Sequence, residues 1–500
     1  MEINNLDQNM FNKLKSFLLQ HHLGCILLFS TIIRIGYLLL NYPLWWDSHV
    51  YIGIGKYIFS DGQLGIWESF RPLVWPFILG LIWKLHLNPF VIGKLLDLIL
   101  SIIIIYLTYK IALTLFSETA ALWSAFICSL SPVFILFTGL ILTEPLAMIL
   151  GLWGIYLFIR IFKQDFNRES KQEKKNISTS TKLFFSGLLL GLSFLTKFPQ
   201  GIWFGCTFML LLFKRELWNQ KIKNTLIHTS GFLLFVIPYL WLNYHIYGDP
   251  FKAFIEGSKI VETSTWLYGS GITFYFTNFF WAFPIYIFSG YAIYKGYKEK
   301  IYRESHKLLI LLIPLLTLLY FMYVPRKETR YLVIIIPFLA ILCAYAIVYI
   351  YDKLKKQQKP LITPLAFMII CTLLIFLTLP NILYIEQTPT FDKEIKNAIQ
   401  QYNITGTILT SDPAFVSFLD LRIVTLDGPK YAPIVYQIQK DKYQLLFLND
   451  CDLPCPPQNQ TCMDLKEQFI KQINLENTQI FQKTFKNCTY SLSLPNQFKR

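Results

Sequence analysis

Long apolar runs separated by short charged loops limit what this chain can fold into. Leu23–Leu40, Leu95–Tyr109, Leu308–Met322 and Leu361–Leu379 each approach the ~20 residues that a helix needs to cross a bilayer. Only 15% of the residues are charged and 54% are hydrophobic, whereas soluble domains carry roughly 25% charged residues. A cytoplasmic enzyme, a nucleic-acid binder and a disordered chain are thereby excluded. The net charge of +15 fits cytoplasmic loops, which collect Lys and Arg. Leu23–Leu40 is too long for a cleavable signal peptide, and no small-residue cleavage site follows it.

Eleven candidate spans follow: 23–41, 91–112, 119–138, 144–162, 183–198, 201–213, 225–244, 274–294, 308–324, 331–351 and 361–379. The apolar stretch 73–87 is the ambiguous one, and charge decides it. If it does not span, the basic loops 163–182, 214–223, 295–307 and 353–359 all fall on the inside with the N-terminus. If it does, they face outward, against the positive-inside rule. Residues 43–90 are therefore expected to form one long external loop with juxtamembrane helices over 49–60 and 73–87.

The expected fold is a polytopic α-helical membrane protein of about eleven spans with a small C-terminal extracytoplasmic α/β domain. The boundary divides a membrane-embedded 1–384 from a polar 385–500. The tail carries sequons at Asn403, Asn459 and Asn487, which are usable only outside. Cys451, Cys455, Cys462 and Cys488 favour disulfides there; three pairings are open, with zinc binding as the other reading. Strands are expected over 406–410, 423–426, 444–448, 480–485 and 490–494, with helices over 391–402, 431–439 and 465–473. A lid, a recognition domain and a stabilising cap all suit such a unit.

Ionisable groups at membrane depth are expensive and mark function by default. On this topology several gather on the external side. Asp47 and His49 follow Trp45-Trp46 just after the first span; Asp47 suits a general base or a helix cap. Arg71 precedes Pro72 and suits an anionic head group, or it snorkels. Glu144 sits in Thr143-Glu144-Pro145, a helix start on the same face as Asp47. Lys197 ends span five, and Arg326, Lys327, Arg330 and Tyr331 lie between spans nine and ten. Carboxylates beside cations suit transfer from a lipid-phosphate donor: one accepts a proton and the others stabilise the leaving phosphate. A divalent metal ion could assist such chemistry, although no metal-binding signature is strong enough to assert one and no cofactor is certain.

These pieces, in this order, resemble the membrane-embedded C-type glycosyltransferases. The branch is that of the dolichyl-phosphate-mannose protein mannosyltransferases and the aminoarabinose transferases. The pieces are Trp46-Asp47-Ser48, the Gly-x-Leu loop into Arg71-Pro72, Ser131-Pro132, Leu142-Thr143-Glu144-Pro145, Gly187-x3-Gly191 running into Thr196-Lys197, and Lys327-x2-Arg330-Tyr331, within roughly residues 20–350. The resemblance implies transfer of a hexose or pentose from a polyprenyl-phospho-sugar donor to a protein, lipid or glycan acceptor at the external membrane face. It gives Asp47 and Glu144 the catalytic positions and Arg71 the donor phosphate, with Lys197, Arg326 and Arg330 beside it. Many members carry Asp-Glu in the first loop, and here the second residue is Ser48. The competing readings are a transporter or flippase of a lipid-linked or anionic solute, and a non-catalytic anchor that presents the tail. No internal repeat supports a transporter.

Overall fold

The computed structural model describes residues 21–40, 43–168, 179–213, 217–262, 265, 267–356 and 391–496. Seven helices among them are long and apolar enough to cross a membrane: His22–Leu39, Pro89–Leu115, Thr143–Lys163, Thr179–Thr196, Trp218–Tyr247, Ser305–Tyr323 and Thr329–Lys355. Val74–Lys84, Glu118–Leu130 and Phe198–Phe213 are shorter and apolar. The expected span 361–379 lies outside the described residues.

Two expected spans are broken, each at a proline. The first stops at Leu130, and Pro132–Leu136 forms a separate short helix. Ser131 between them is extended, as a residue before proline prefers to be. The second, expected over 274–294, is a π-turn over Phe276–Phe280, a short turn over Pro284–Tyr286 and then the helix Ile287–Lys298. Phe283 before Pro284 is again outside the helical region. The two breaks face each other, for the Tyr286 hydroxyl donates to Ser131 Oγ at 2.8 Å.

Small residues set the closest helix contacts, as they do where lipid supplies no hydrophobic drive between helices. A Cβ on Gly187 would strike the His228 carbonyl, and one on Gly191 the Phe232 backbone. The Gly187-x3-Gly191 pattern therefore packs Thr179–Thr196 against Trp218–Tyr247. Gly55 and Gly80 do the same for the first-loop helices Trp46–Phe59 and Val74–Lys84. These lie within two or three residues of their expected positions.

The C-terminal unit is a mixed sheet of β1 (Thr407–Thr410), β2 (Ile423–Thr425), β3 (Tyr443–Asn449), β4 (Asn477–Phe485) and β5 (Cys488–Pro495), in the order β2-β1-β3-β5-β4. β1 runs parallel to β2 and β3, and β5 runs antiparallel to β3 and β4. The helices Asp392–Gln401, Gly428–Gln439 and Gln460–Glu476 accompany it. Disulfides join Cys451 to Cys488 and Cys455 to Cys462. That is one of the three open pairings, and it leaves these thiols unable to hold zinc.

This unit docks on the helix that begins at Trp46. Gly65 pairs with Arg422 as a parallel bridge, with Gly65 N donating to Leu421 O and Ile423 N to Gly65 O, both at 2.9 Å. The Lys56 ammonium donates to Leu419 O at 3.0 Å and lies 2.8 Å from Asp420 Oδ1. The helix that carries Asp47 is thus also the seat of the C-terminal domain.

Candidate active site

Asp47 stands in the first turn of Trp46–Phe59, but it is not the cap: Trp45 takes that place and no side chain bonds the free amides. Its carboxylate is buried and shared between two arginines. Arg71 Nη2 lies 2.8 Å from Oδ1, and Arg330 Nη1 donates to Oδ2. Arg71 also donates through Nε to Glu68 Oε2 at 2.7 Å. Arg330 is paired with Glu328 Oε2 at 2.5 Å, and Arg326 Nε with Glu328 Oε1 at 2.6 Å. Two anions therefore flank Asp47, each behind an arginine. Neither Glu68 nor Glu328 figured as a site residue from sequence, although Glu68 precedes Arg71 by three positions and Glu328 precedes Arg330 by two.

Burial opposes a charge on Asp47, but the guanidinium groups of Arg330 and Arg71 outweigh it and hold the carboxyl well below the usual range. Burial likewise opposes the charge on Arg71, and Asp47 and Glu68 together raise its pKa well above the ordinary value. Both groups are charged at any physiological pH.

A cavity of about 1340 Å³ opens over this cluster. Trp45, Trp46, Asp47, Glu68 and Arg71 line it from the first loop, Glu256 and Lys259 from the helix Lys252–Glu262, and 326–330 from the junction between the last two described spans. The C-terminal domain closes it with Asp427, Lys430, Tyr431 and Asp452. Tail residues as cavity wall were not legible beforehand. Arg326 lies over the Tyr268 ring at 3.5 Å, and Gly269 bridges to Lys327, so a second loop braces this wall.

The other expected residues separate by role. Glu144 is buried at the start of its helix, with Lys197 Nζ 2.9 Å from Oε1, and neither lines the cavity. Tyr331 lies between this pair and the first cluster: Lys197 sits 5.9 Å from its ring, and its hydroxyl donates to Glu328 at 3.0 Å. Lys327 is buried, with its ammonium on the carbonyls of Phe321, Met322 and Val324. It caps the helix Ser305–Tyr323, where a cation suits the exposed carbonyls, and this leaves its charge no proton for a ligand. His49 Nδ1 lies 2.6 Å from Ser417 Oγ of the tail, and burial pushes its pKa down to about 4. His49 therefore serves the domain seat as a neutral ring.

The carboxylates do not make a metal donor set. Both oxygens of Asp47 face guanidinium groups, and Glu68, Glu144 and Glu328 each give at least one oxygen to Arg or Lys. Among the described residues the grouping with metal-ligand spacing is Asp450, Cys451 and Cys488, and its two sulfurs are joined in a disulfide.

A sequence model of the Alg9-like mannosyltransferase family matches residues 66–414. The chain belongs to the Alg9-like mannosyltransferase family. It is a membrane glycosyltransferase of the C type, as the sequence motifs suggested. Arg71, Glu144, Lys197 and Arg330 fall within the matched stretch, and Asp47 lies before it. No curated protein sequence matches the chain. Among solved structures it is similar in fold to the oligosaccharyltransferase AglB of Archaeoglobus fulgidus, solved with an inhibitory peptide and a dolichol-phosphate. The identity is 11%, the TM-score 0.61, and the coverage 97% of this chain and 75% of that one. ArnT from Cupriavidus metallidurans, bound to undecaprenyl phosphate, matches at 11% identity and TM-score 0.55, over 95% of this chain and 98% of that one. The mycobacterial arabinofuranosyltransferase AftD matches at 14% and 0.51, over 95% of this chain and 41% of its own.

Proposed function

We propose that this enzyme transfers a sugar, in the first instance mannose, from a polyprenyl-phosphate-linked donor to a glycan, lipid or protein acceptor at the external membrane face. The observation that carries this reading is the Asp47 carboxylate shared by Arg71 and Arg330 beneath a cavity roofed by the C-terminal domain. The family description supports the sugar, and the lipid phosphates seen in AglB and ArnT support the donor class.

In the resting site Asp47 is a poor base, because two cations stabilise its charge. A donor phosphate changes this. It competes for the same guanidinium forks, which suit bidentate phosphate binding. As it draws Arg71 and Arg330 away, the Asp47 carboxylate becomes more basic. The acceptor hydroxyl then attacks the anomeric carbon, its proton passes to Asp47, and the bond from that carbon to the phosphate oxygen breaks. The electron pair leaves with the polyprenyl phosphate, whose growing charge the arginines meet. No step is routed through a metal ion. The Glu144 charge, itself paired with Lys197, favours the charged form of Arg330 from behind.

The orientation follows from charge: the N-terminus is cytoplasmic and the tail extracytoplasmic, in a multi-pass protein of the cell membrane. The test uses purified protein in nanodiscs with labelled dolichyl-phosphate-mannose and separate glycan, glycolipid and peptide acceptor pools. Label should move to one pool with release of dolichyl phosphate. Movement of intact donor across vesicle membranes without release would instead support a flippase.

A further inference from the structure

The turn that leads into Glu144 is strained. Gly139 has φ +84°, and two residues on Ile141 has φ +56°. A β-branched side chain rarely tolerates that region, and the conformation persists only where the surroundings hold it. Here three buried side chains impose it. Asp97 Oδ2 accepts the Ile141 amide at 2.8 Å. Trp75 Nε1 donates to Ile141 O at 3.0 Å. Ser48 Oγ donates to Leu140 O.

These three come from three separate elements. Asp97 projects from Pro89–Leu115, one turn beyond Gly93, whose missing Cβ leaves room for the Ile141 side chain. Trp75 comes from Val74–Lys84, and Ser48 is the neighbour of Asp47 in Trp46–Phe59. All three are fully or almost fully buried. Asp97 is a carboxylate in the middle of an apolar helix, and such a group needs a reason to be there.

We propose that Asp97, Trp75 and Ser48 are positioning residues for the transfer reaction, clamping the 139–142 turn so that Asp47 and the Glu144–Lys197 pair are fixed on either side of Arg330. This rests on the catalytic reading of Asp47. It also gives a role to Ser48, which stands where many relatives carry a second acid: its hydroxyl bonds the turn instead of adding charge. A displacement of even 1 Å costs heavily when a base must meet its proton in line.

The test compares Ser48→Ala, Asp97→Leu and Asp97→Asn with wild type in nanodiscs, using dolichyl-phosphate-mannose, and normalises each to the fraction that binds dolichyl phosphate. Asp97→Asn keeps an oxygen acceptor for the Ile141 amide and should stay within about threefold of wild type. Ser48→Ala and Asp97→Leu should lower kcat about 10–100-fold with donor KM changed less than threefold. A packing role alone would reduce the binding-competent fraction and leave kcat per competent molecule intact, and that result overturns the inference. Ser48→Ala is then repeated in Asp47→Asn, where the base is gone and its position no longer matters. The loss should shrink to less than threefold. An undiminished loss there, beside a slow Asp47→Asn, overturns the clamp alone. A fully active Asp47→Asn overturns the catalytic reading, and this inference with it.

Discussion

Arg330 donates to Asp47 across 283 residues of sequence, joining the start of the last described span to the loop after the first. Glu328 holds that arginine from one side, and Arg71 holds the aspartate from the other. The chain Glu68–Arg71–Asp47–Arg330–Glu328 alternates in sign along its length. Three carboxylates face two guanidinium groups, with Arg326 on the outer oxygen of Glu328 completing the balance. At this cluster an anion that enters the cavity meets charge that is already neutralised, and it gains these guanidinium groups by exchange. Such a site favours a phosphate that can take both forks at once.

Asp47→Asn should lower turnover by about 10²–10⁴-fold, the usual cost of losing a general base. From sequence, an exposed cap worth about 1 kcal/mol was the alternative. The structure makes Asp47 a buried partner of two cations instead, so the same substitution should also lower the melting temperature. Glu68 and Glu328 still neutralise the arginines, and the protein should remain inserted. Wild-type turnover together with an unchanged melting curve would remove Asp47 from both roles.

Arg71→Ala should act on donor binding. Loss of one phosphate fork typically costs ~1.5–3 kcal/mol, or roughly 10–150-fold in donor KM. Arg71→Lys keeps the charge without the planar fork and should recover only part of this. Titration of dolichyl phosphate against each variant measures it; equal affinities for Arg71→Ala and wild type would move the phosphate elsewhere in the cavity.

The cavity wall supplied by the tail gives a pH dependence. Burial and the nearby Glu68 charge push Asp427 up to about 7, although its side chain is open to the cavity. Burial and Asp412 push Asp452 up to about 8. Both are acids with raised pKa values, so the folded state holds protons that the unfolded state gives up. Stability from this source falls as pH rises from about 4 through about 7 to 8. Over the same upper range the wall gains negative charge and repels an anionic donor. Donor KM should rise several-fold between about pH 6 and pH 9, and Asp427→Asn should flatten the rise. An identical profile in the variant would place the titration elsewhere.

Reduction should act through the same wall. The Cys451–Cys488 bond closes a loop of 37 residues that includes Asp452, Pro454 and Pro456 of the cavity lining. A loop of that length is worth roughly 4 kcal/mol by the chain-entropy relation. Cys451→Ser with Cys488→Ser should destabilise the tail by about that amount and raise donor KM, with the membrane helices unaffected. Calorimetry that finds no separate shift in the tail would refute it.

What could be read from sequence was what is local. Apolar runs marked the helices, and the strand-like segments of the tail matched all five strands within a few residues, because both depend on neighbours along the chain. The breaks at Ser131-Pro132 and Phe283-Pro284 were written in the prolines, but the apolar runs around them masked the signal. Asp47, Arg71 and Arg330 stood out because charge is rare at membrane depth. Their mutual pairing did not, because nothing local links residues 283 positions apart. Lys327 looked like its neighbours in the charge run, and only the helix end beside it reveals that its protons are used on carbonyls. The docking of the tail on Trp46–Phe59 left no sequence trace beyond a buried-looking lysine in an apolar helix.

That lysine offers a test of the docking. Lys56 is buried, while its partner Asp420 is more than half exposed. Exposed carboxylates add little to an ion pair, so the bond that matters is from the ammonium to the Leu419 carbonyl at 3.0 Å. Lys56→Ala removes the donor, leaves that carbonyl without its partner and strips the packed stem. The cost should be ~1–3 kcal/mol at the seat. Asp420→Ala should cost less than about 1 kcal/mol. Hydrogen exchange at the Gly65 and Ile423 amides reports the seat directly, because both bond across it. Exchange there should speed up at least about fivefold in Lys56→Ala and hardly change in Asp420→Ala. Donor KM should rise in the same order, because the domain that leaves the seat takes Lys430 and Tyr431 from the cavity wall with it. Equal effects of the two variants would mean that the exposed ion pair holds the domain. No effect of either would mean that the Gly65–Arg422 bridge holds it unaided.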